Sequence, residues 1–115
     1  MTNKDRRLLN NFTDTPSDLV FWSFRYFLGR MTIATTSFAS NLAKAWPFLD
    51  ERVQQLIKRE LEHEFELDDR ARADRAEKGE QSIYKYSLPL GMDCDREAWQ
   101  KVRDAYTESQ KNHNE

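Results

Sequence analysis

Between Phe21 and Phe27 five of seven residues are aromatic, and arginines stand inside the run (Arg25) and just beyond it (Arg30). At 100° per residue, Val20, Phe21, Phe24, Phe27 and Leu28 share one broad arc, while Trp22 and Tyr26 form a second edge. A helix apolar around this much of its circumference buries more than one face. It is therefore either the central helix of a small fold or part of a subunit interface. The preceding TPSD starts it: Thr15 is the N-cap, Pro16 takes the first helical position, and Asp18 sits near the positive end. Gly29 supplies the stop.

The rest of the chain reads as further helices. A second is expected over about 33–46, entered through Thr32 or Thr35/Thr36 and halted before Pro47, with Phe38, Leu42, Ala45 and Trp46 on one stripe. Asp50 caps a third, in which Val53, Leu56, Ile57, Leu61 and Phe65 form another stripe. Beyond Leu67 the stripe ends, and DDRARADRAEKGE continues the helix as a solvated, charged extension. Glu66–Arg70, Asp68–Arg72 and Asp74–Lys78 support it, each four apart with the acid first. Gly79 is its stop. IYKYSLPLG, from Ile83 to Gly91, reads as extended, with Ile83 and Lys85 on one side and Tyr84 and Tyr86 on the other. One short strand is not stable alone, so it should pack over the helices or pair with a second copy. Asp93 or Asp95 caps the last helix, whose apolar face is Trp99, Val102 and Tyr106. The expected fold is mainly α: a small domain of three to four helices over 15–106, with one long charged helix and a short extended segment near 83–90. Residues 1–14 form a flexible arm, polar except for Leu8, Leu9 and Phe12, and 107–115 form a frayed tail.

Composition narrows the function classes. In 115 residues, 33% are charged and 38% hydrophobic, with a net charge of −2. That balance gives no basic footprint for non-specific nucleic-acid binding, and it is too weakly acidic for a DNA mimic. No stretch approaches the length of a membrane span, and the N-terminus has no apolar core of a signal peptide. The single cysteine, Cys94, excludes an internal disulfide and suits a reducing cytoplasm.

Catalytic and metal motifs are weak. Glu60-Leu61-Glu62-His63 contains one E-x-x-H, but carboxylate di-metal bundles need two such motifs and further glutamates. MDCDRE, from Met92, resembles the start of a calcium loop without its central glycine or twelfth-position glutamate. Helix capping explains both aspartates more simply. Cys94 lies between those acids, which disfavours a thiolate. Three glycines in all leave no phosphate-cradling loop, and neither histidine stands in a triad context. An enzyme is not expected, and no cofactor is implied.

The best candidate site surrounds the turn between the first two helices: Arg25, Tyr26, Arg30, Thr32, Thr35 and Thr36. The second helix starts there with free N–H groups, which favour an anion. Arg30 offers a planar fork for phosphate or carboxylate, and the threonines add hydroxyls. The competing account is structural. Arg30 covers the helix end, while Arg25 pairs with Glu60 or Glu64, which fall inside the Ile57/Leu61 stripe and need partners if buried. Arg70, Arg72 and Arg75 form a second candidate ridge for a partner, although interspersed acids cancel most of its field.

Two segments, FRYFLGRMTIAT and LPLGMDCDREAWQKV, resemble a group of small uncharacterised proteins encoded by phages and prophages. Those proteins carry an aromatic RY-x-LGR-x-T turn and a G-x-D-x-D-x-x-W segment. Arg25, Tyr26, Leu28, Gly29, Arg30 and Thr32 match the first, and Gly91, Asp93, Asp95 and Trp99 the second. The resemblance covers residues 18–103. It implies a viral accessory role in the host bacterial cytoplasm and supplies no catalytic residues.

The leading expectation is stoichiometric binding to a host protein of replication or antiviral defence, so as to inhibit it. One alternative is a binder of a nucleotide or other phosphorylated small molecule at the first turn. The other is a nucleic-acid-binding protein, which needs Arg6, Arg7, Arg25 and Arg30 on one face. The aromatic content further suggests a homodimer or larger homo-oligomer, since a small domain cannot easily hide it. No membrane partner is expected.

Overall fold

The aromatic run becomes a helix because nothing interrupts its backbone ladder before Gly29. A computed structural model describes residues 16–114, apart from the side chains of Ser17 and of residues 112–114. The expected arm, the Thr15 cap, Arg6, Arg7 and the His113 side chain lie outside the described residues. Four helices follow in order: α1 (Pro16–Phe27), α2 (Ile33–Ala45), α3 (Glu51–Lys78) and α4 (Asp93–Asn114). Short 3-10 turns at Trp46–Phe48 and Gly79–Gln81 flank α3, and the described residues contain no strand. The chain is a small, mainly α domain.

The helix boundaries follow local chemistry. Past Gly29, the Arg30 N–H donates back to the Phe27 carbonyl at 3.0 Å. The Thr32 hydroxyl accepts the Thr35 N–H at 3.1 Å and caps α2. Pro47, which cannot continue the ladder, converts the next residues into a 3-10 turn. Asp50 caps α3 by accepting the Arg52 N–H at 2.8 Å, and α3 ends at Gly79. Asp95 does not cap α4 from the N-cap position. It lies one turn in and accepts the Met92 N–H at 2.9 Å, half of a capping box. Asp93 is the first residue of α4. That helix continues through 107–114, where a frayed tail is expected, because no glycine or proline interrupts the run.

Each helix contributes one face to a single core. Phe24 comes from α1; Ala39 and Leu42 come from α2, with Trp46 just after it; Val53, Ile57, Leu61 and Phe65 come from α3; and Ala98, Trp99, Val102 and Tyr106 come from α4. Val20, Phe21, Phe27 and Leu28 pack around it, half-buried. Phe24 meets Trp99 edge-on at 5.5 Å between centroids, Phe27 stacks on Phe38 at 5.0 Å, and Trp46 tilts onto Tyr106 at 5.4 Å. These geometries each add to the burial of the rings. The aromatic run is thus accommodated largely within one chain, as the innermost layer of α1.

The segment after α3 differs from expectation. Residues 83–90 are a succession of turns, not an extended strand. The Tyr84 N–H donates to the Ser82 hydroxyl at 3.1 Å, and the Gly91 N–H donates to the Leu88 carbonyl at 2.9 Å. Ser82 is itself held by Asp74 at 2.7 Å. These local side-chain bonds compete with extended pairing. Leu90 is buried, whereas Ile83 and Tyr86 project into solvent.

Candidate functional site

The arginines of the aromatic run are engaged within the chain. Arg25 leaves α1 toward α3, where its Nη1 donates to both oxygens of Glu60, at 2.7 Å to Oε1. Arg30 folds back: its Nε donates to the Tyr26 carbonyl at 2.7 Å and its guanidinium lies 4.2 Å from the Tyr26 ring centroid. The threonines are engaged too. Thr32 and Thr35 share a hydroxyl–hydroxyl bond at 3.0 Å, and the Thr36 hydroxyl donates to the Ile33 carbonyl at 2.9 Å. Tyr26, Arg30, Thr32, Thr35 and Thr36 therefore gather around one turn, while Arg25 stands apart on the α3 side. Glu64, beside Arg25 and Glu60, titrates above its ordinary value; burial raises it most, and the Glu60 and Asp68 charges add to that.

The second half of α3 departs most from the expected solvated extension. All three expected pairs form, Arg70–Glu66 at 2.6 Å, Arg72–Asp68 at 2.6 Å and Lys78–Asp74 at 2.8 Å. Asp68, however, is fully buried, and so is Ala71. Their burial continues the Val53–Ile57–Leu61–Phe65 stripe for another turn. Asp68 Oδ1 accepts the Leu90 N–H at 2.9 Å, and Oδ2 accepts from Arg72 and Arg96. Arg96 also reaches Asp69 at 2.6 Å, and Arg72 reaches Asp93 at 2.7 Å. Burial pushes the Asp68 carboxyl up, but the Leu90 N–H and the two guanidinium groups outweigh it and hold it below its ordinary value. Below this hub, Arg96 and Arg103 lie 5.0 and 4.7 Å from the centroid of Phe65. One carboxylate thus ties α3, α4 and the end of the 82–92 loop together.

That loop, once fixed, walls a groove of about 440 Å³ with the α1–α2 turn. Met31, Tyr86, Leu88 and Met92 supply its apolar lining, and Arg75 and Asp93 are also on its wall. Tyr86 is 85% exposed and Met92 61%. Gly91 sits at the base with φ +81, and a Cβ there would come within 2.7 Å of Asp95 Oδ2 and 3.0 Å of Met31 Cγ. Only glycine lets Met31 approach this closely.

A larger cleft, about 590 Å³, lies at the other end of α3 among Trp46, Pro47, Gln54, Lys58, Tyr106 and Gln110. Its polar groups are partly committed: Gln54 donates to the Trp46 carbonyl at 2.7 Å, and the Tyr106 hydroxyl donates to Glu62 at 2.7 Å. Burial, then that bond to Glu62, raises the Tyr106 phenol far above its ordinary value.

In the E-x-x-H segment Glu60 holds Arg25 and His63 is exposed. Cys94 is exposed. Among the described residues no cluster of three or more His, Cys, Asp or Glu side chains is placed to hold a metal ion, and no helix is long and apolar enough to cross a membrane. The Met31–Tyr86–Met92 groove was missed by sequence reasoning. Its signal was present as apolar residues flanking LGR and LG turns, but their convergence depends on the Asp68 hub. No family model, curated protein or solved structure matches the chain.

Proposed function

We propose that this chain is a non-enzymatic accessory protein that acts by stoichiometric binding to a host protein, docking it through the groove between the α1–α2 turn and the 82–92 loop. The observation that carries the reading is the convergence of Met31, Tyr86, Leu88 and Met92 on one surface, with Tyr86 and Met92 largely exposed. Methionine and tyrosine side chains suit protein contact surfaces, the first by adaptability and the second by rigid amphipathic area. The resemblance of its two motifs to phage and prophage proteins supports a bacterial cytoplasmic setting and a target in replication or antiviral defence, whose inhibition is the proposed outcome.

The tagged full chain should retain one host protein near equimolar amounts from lysate. Retention should fall when Tyr86 and Met92 are both replaced by alanine, two exposed truncations that leave the core intact. Failure to retain any protein from infected and uninfected lysates, or equal retention by the double variant, contradicts the proposal. The phosphate-binding alternative would use the Arg30 Nη donors, since Nε is held by the Tyr26 carbonyl and the Thr32 hydroxyl by its cap. A thermal shift with a nucleotide, abolished in Arg30→Ala, would favour it instead.

A further inference from the structure

The groove described above is apolar on most of its wall, but one charge on that wall is not neutralised. In the second half of α3, Arg70, Arg72 and Lys78 each hold a carboxylate at 2.6–2.8 Å. Arg75 lines the groove, is exposed, and makes no ion pair among the described residues. The carboxylate also on the wall, Asp93, is already bonded to Arg72 at 2.7 Å. An acid entering the groove therefore meets a guanidinium with its donors available, beside methionine and tyrosine side chains. A guanidinium offers a carboxylate a bidentate fork with fixed geometry. The groove's volume, about 440 Å³, lies near the low end of the range for ligand pockets. That suits an anchoring side chain better than an enclosed small molecule.

Resting on the groove as the docking site, we infer that its occupant is a partner-protein segment in which a large apolar side chain stands close to a carboxylate. The apolar side chain seats against Met31, Leu88 and Met92, and the carboxylate pairs with Arg75. Thioether flexibility lets the site accept aromatic or aliphatic anchors, so selectivity comes from the acid.

The test is selection of a random-peptide display library on the immobilised full chain, followed by binding measurements on synthetic versions of the winners. The selected peptides should combine an aromatic or long aliphatic residue with a nearby Asp or Glu. Their affinity should drop about tenfold for Arg75→Glu and be lost for the Tyr86→Ala/Met92→Ala double variant, with circular dichroism unchanged in both. Peptides that need Tyr86 and Met92 but show no acidic preference, and bind Arg75→Glu equally well, overturn this inference while leaving the groove as the docking site. Peptides indifferent to all three substitutions overturn both. A library that yields no binder counts against the inference. So does self-association of the unmodified chain in sedimentation that Tyr86→Ala/Met92→Ala abolishes, which would assign the groove to a second copy.

Discussion

Two arginine–carboxylate systems in this protein look alike in sequence and differ in consequence. Arg25 and Glu60 join α1 to α3 with side chains 49% and 25% exposed. Arg72 and Arg96 converge on Asp68, which has no exposed surface at all. In the first, water screens much of the attraction and solvates either partner if the other is lost. In the second, losing the guanidinium groups strands a carboxylate in the interior, and losing the carboxylate leaves the Leu90 N–H without its acceptor. Arg25 stands in the aromatic run and joins two helices, yet Asp68 ties α3 to both α4 and the 82–92 loop. The importance of an arginine is set by the burial of its acceptor.

The contrast is broken most severely at Asp68. Asp68→Ala should lower the unfolding free energy by about 3–5 kcal/mol, a large fraction of what a small domain has, measured by urea denaturation. Asp68→Asn, which keeps the shape and removes the charge, should lose less. Linkage gives the same hub a pH signature. Its folded pKa lies below the ordinary value of 3.8, so its stabilisation is full above that value and is lost as pH falls through the lower, folded one. The acid limb of the stability–pH curve should therefore be shallower in Asp68→Asn than in the natural chain.

Gly91→Ala comes next. It forces a side chain into a positive-φ position and against Asp95 and Met31. Denaturant unfolding should show a loss of about 1–3 kcal/mol. Arg25→Ala sharpens the comparison from the other side, because an exposed pair should contribute no more than about 1 kcal/mol in the same assay. A loss as large as that of Asp68→Ala would erase the distinction. Glu64→Gln has the smallest expected effect. The folded Glu64 binds its proton more tightly than the unfolded one, so its ionisation opposes folding as pH rises through the raised pKa. Removing that charge should leave stability near pH 7 unchanged or raised by up to about 0.5 kcal/mol.

The elements were legible wherever a rule acts over a few residues. Thr32 and Asp50 cap, Gly29 and Gly79 stop, and the i,i+4 acid–base pairs of α3 form as spaced. A partner for Arg25 on α3 was readable as Glu60 or Glu64, because both fall inside the Ile57/Leu61 stripe, and Glu60 takes it. Illegible was what the chain brings from a distance. Asp68 takes Leu90 from 22 residues away and Arg96 from 28, and neither partner is marked by any local pattern. A partial signal existed in the phase of the α3 stripe, which reaches Asp68 and Ala71 if it is followed through a charge. The turns of 82–92 escaped for a related reason. Alternating residues in IYKYS mimic a strand, while Ser82 bonds to Asp74 and to the Tyr84 N–H and makes a turn. The groove on that loop was hidden with it.

Buried Asp68 holds the loop that builds the groove. Amide hydrogen exchange of Leu90, in the natural chain and in Asp68→Ala, tests this anchoring most directly, with Ala39 and Leu42 of α2 as internal references. The Leu90 amide should accelerate about a hundredfold more than the α2 amides, which quicken only with the lowered global stability. If Leu90 stays as protected as in the natural chain, or if all three amides loosen together by the same factor, Asp68 does not specifically anchor this loop.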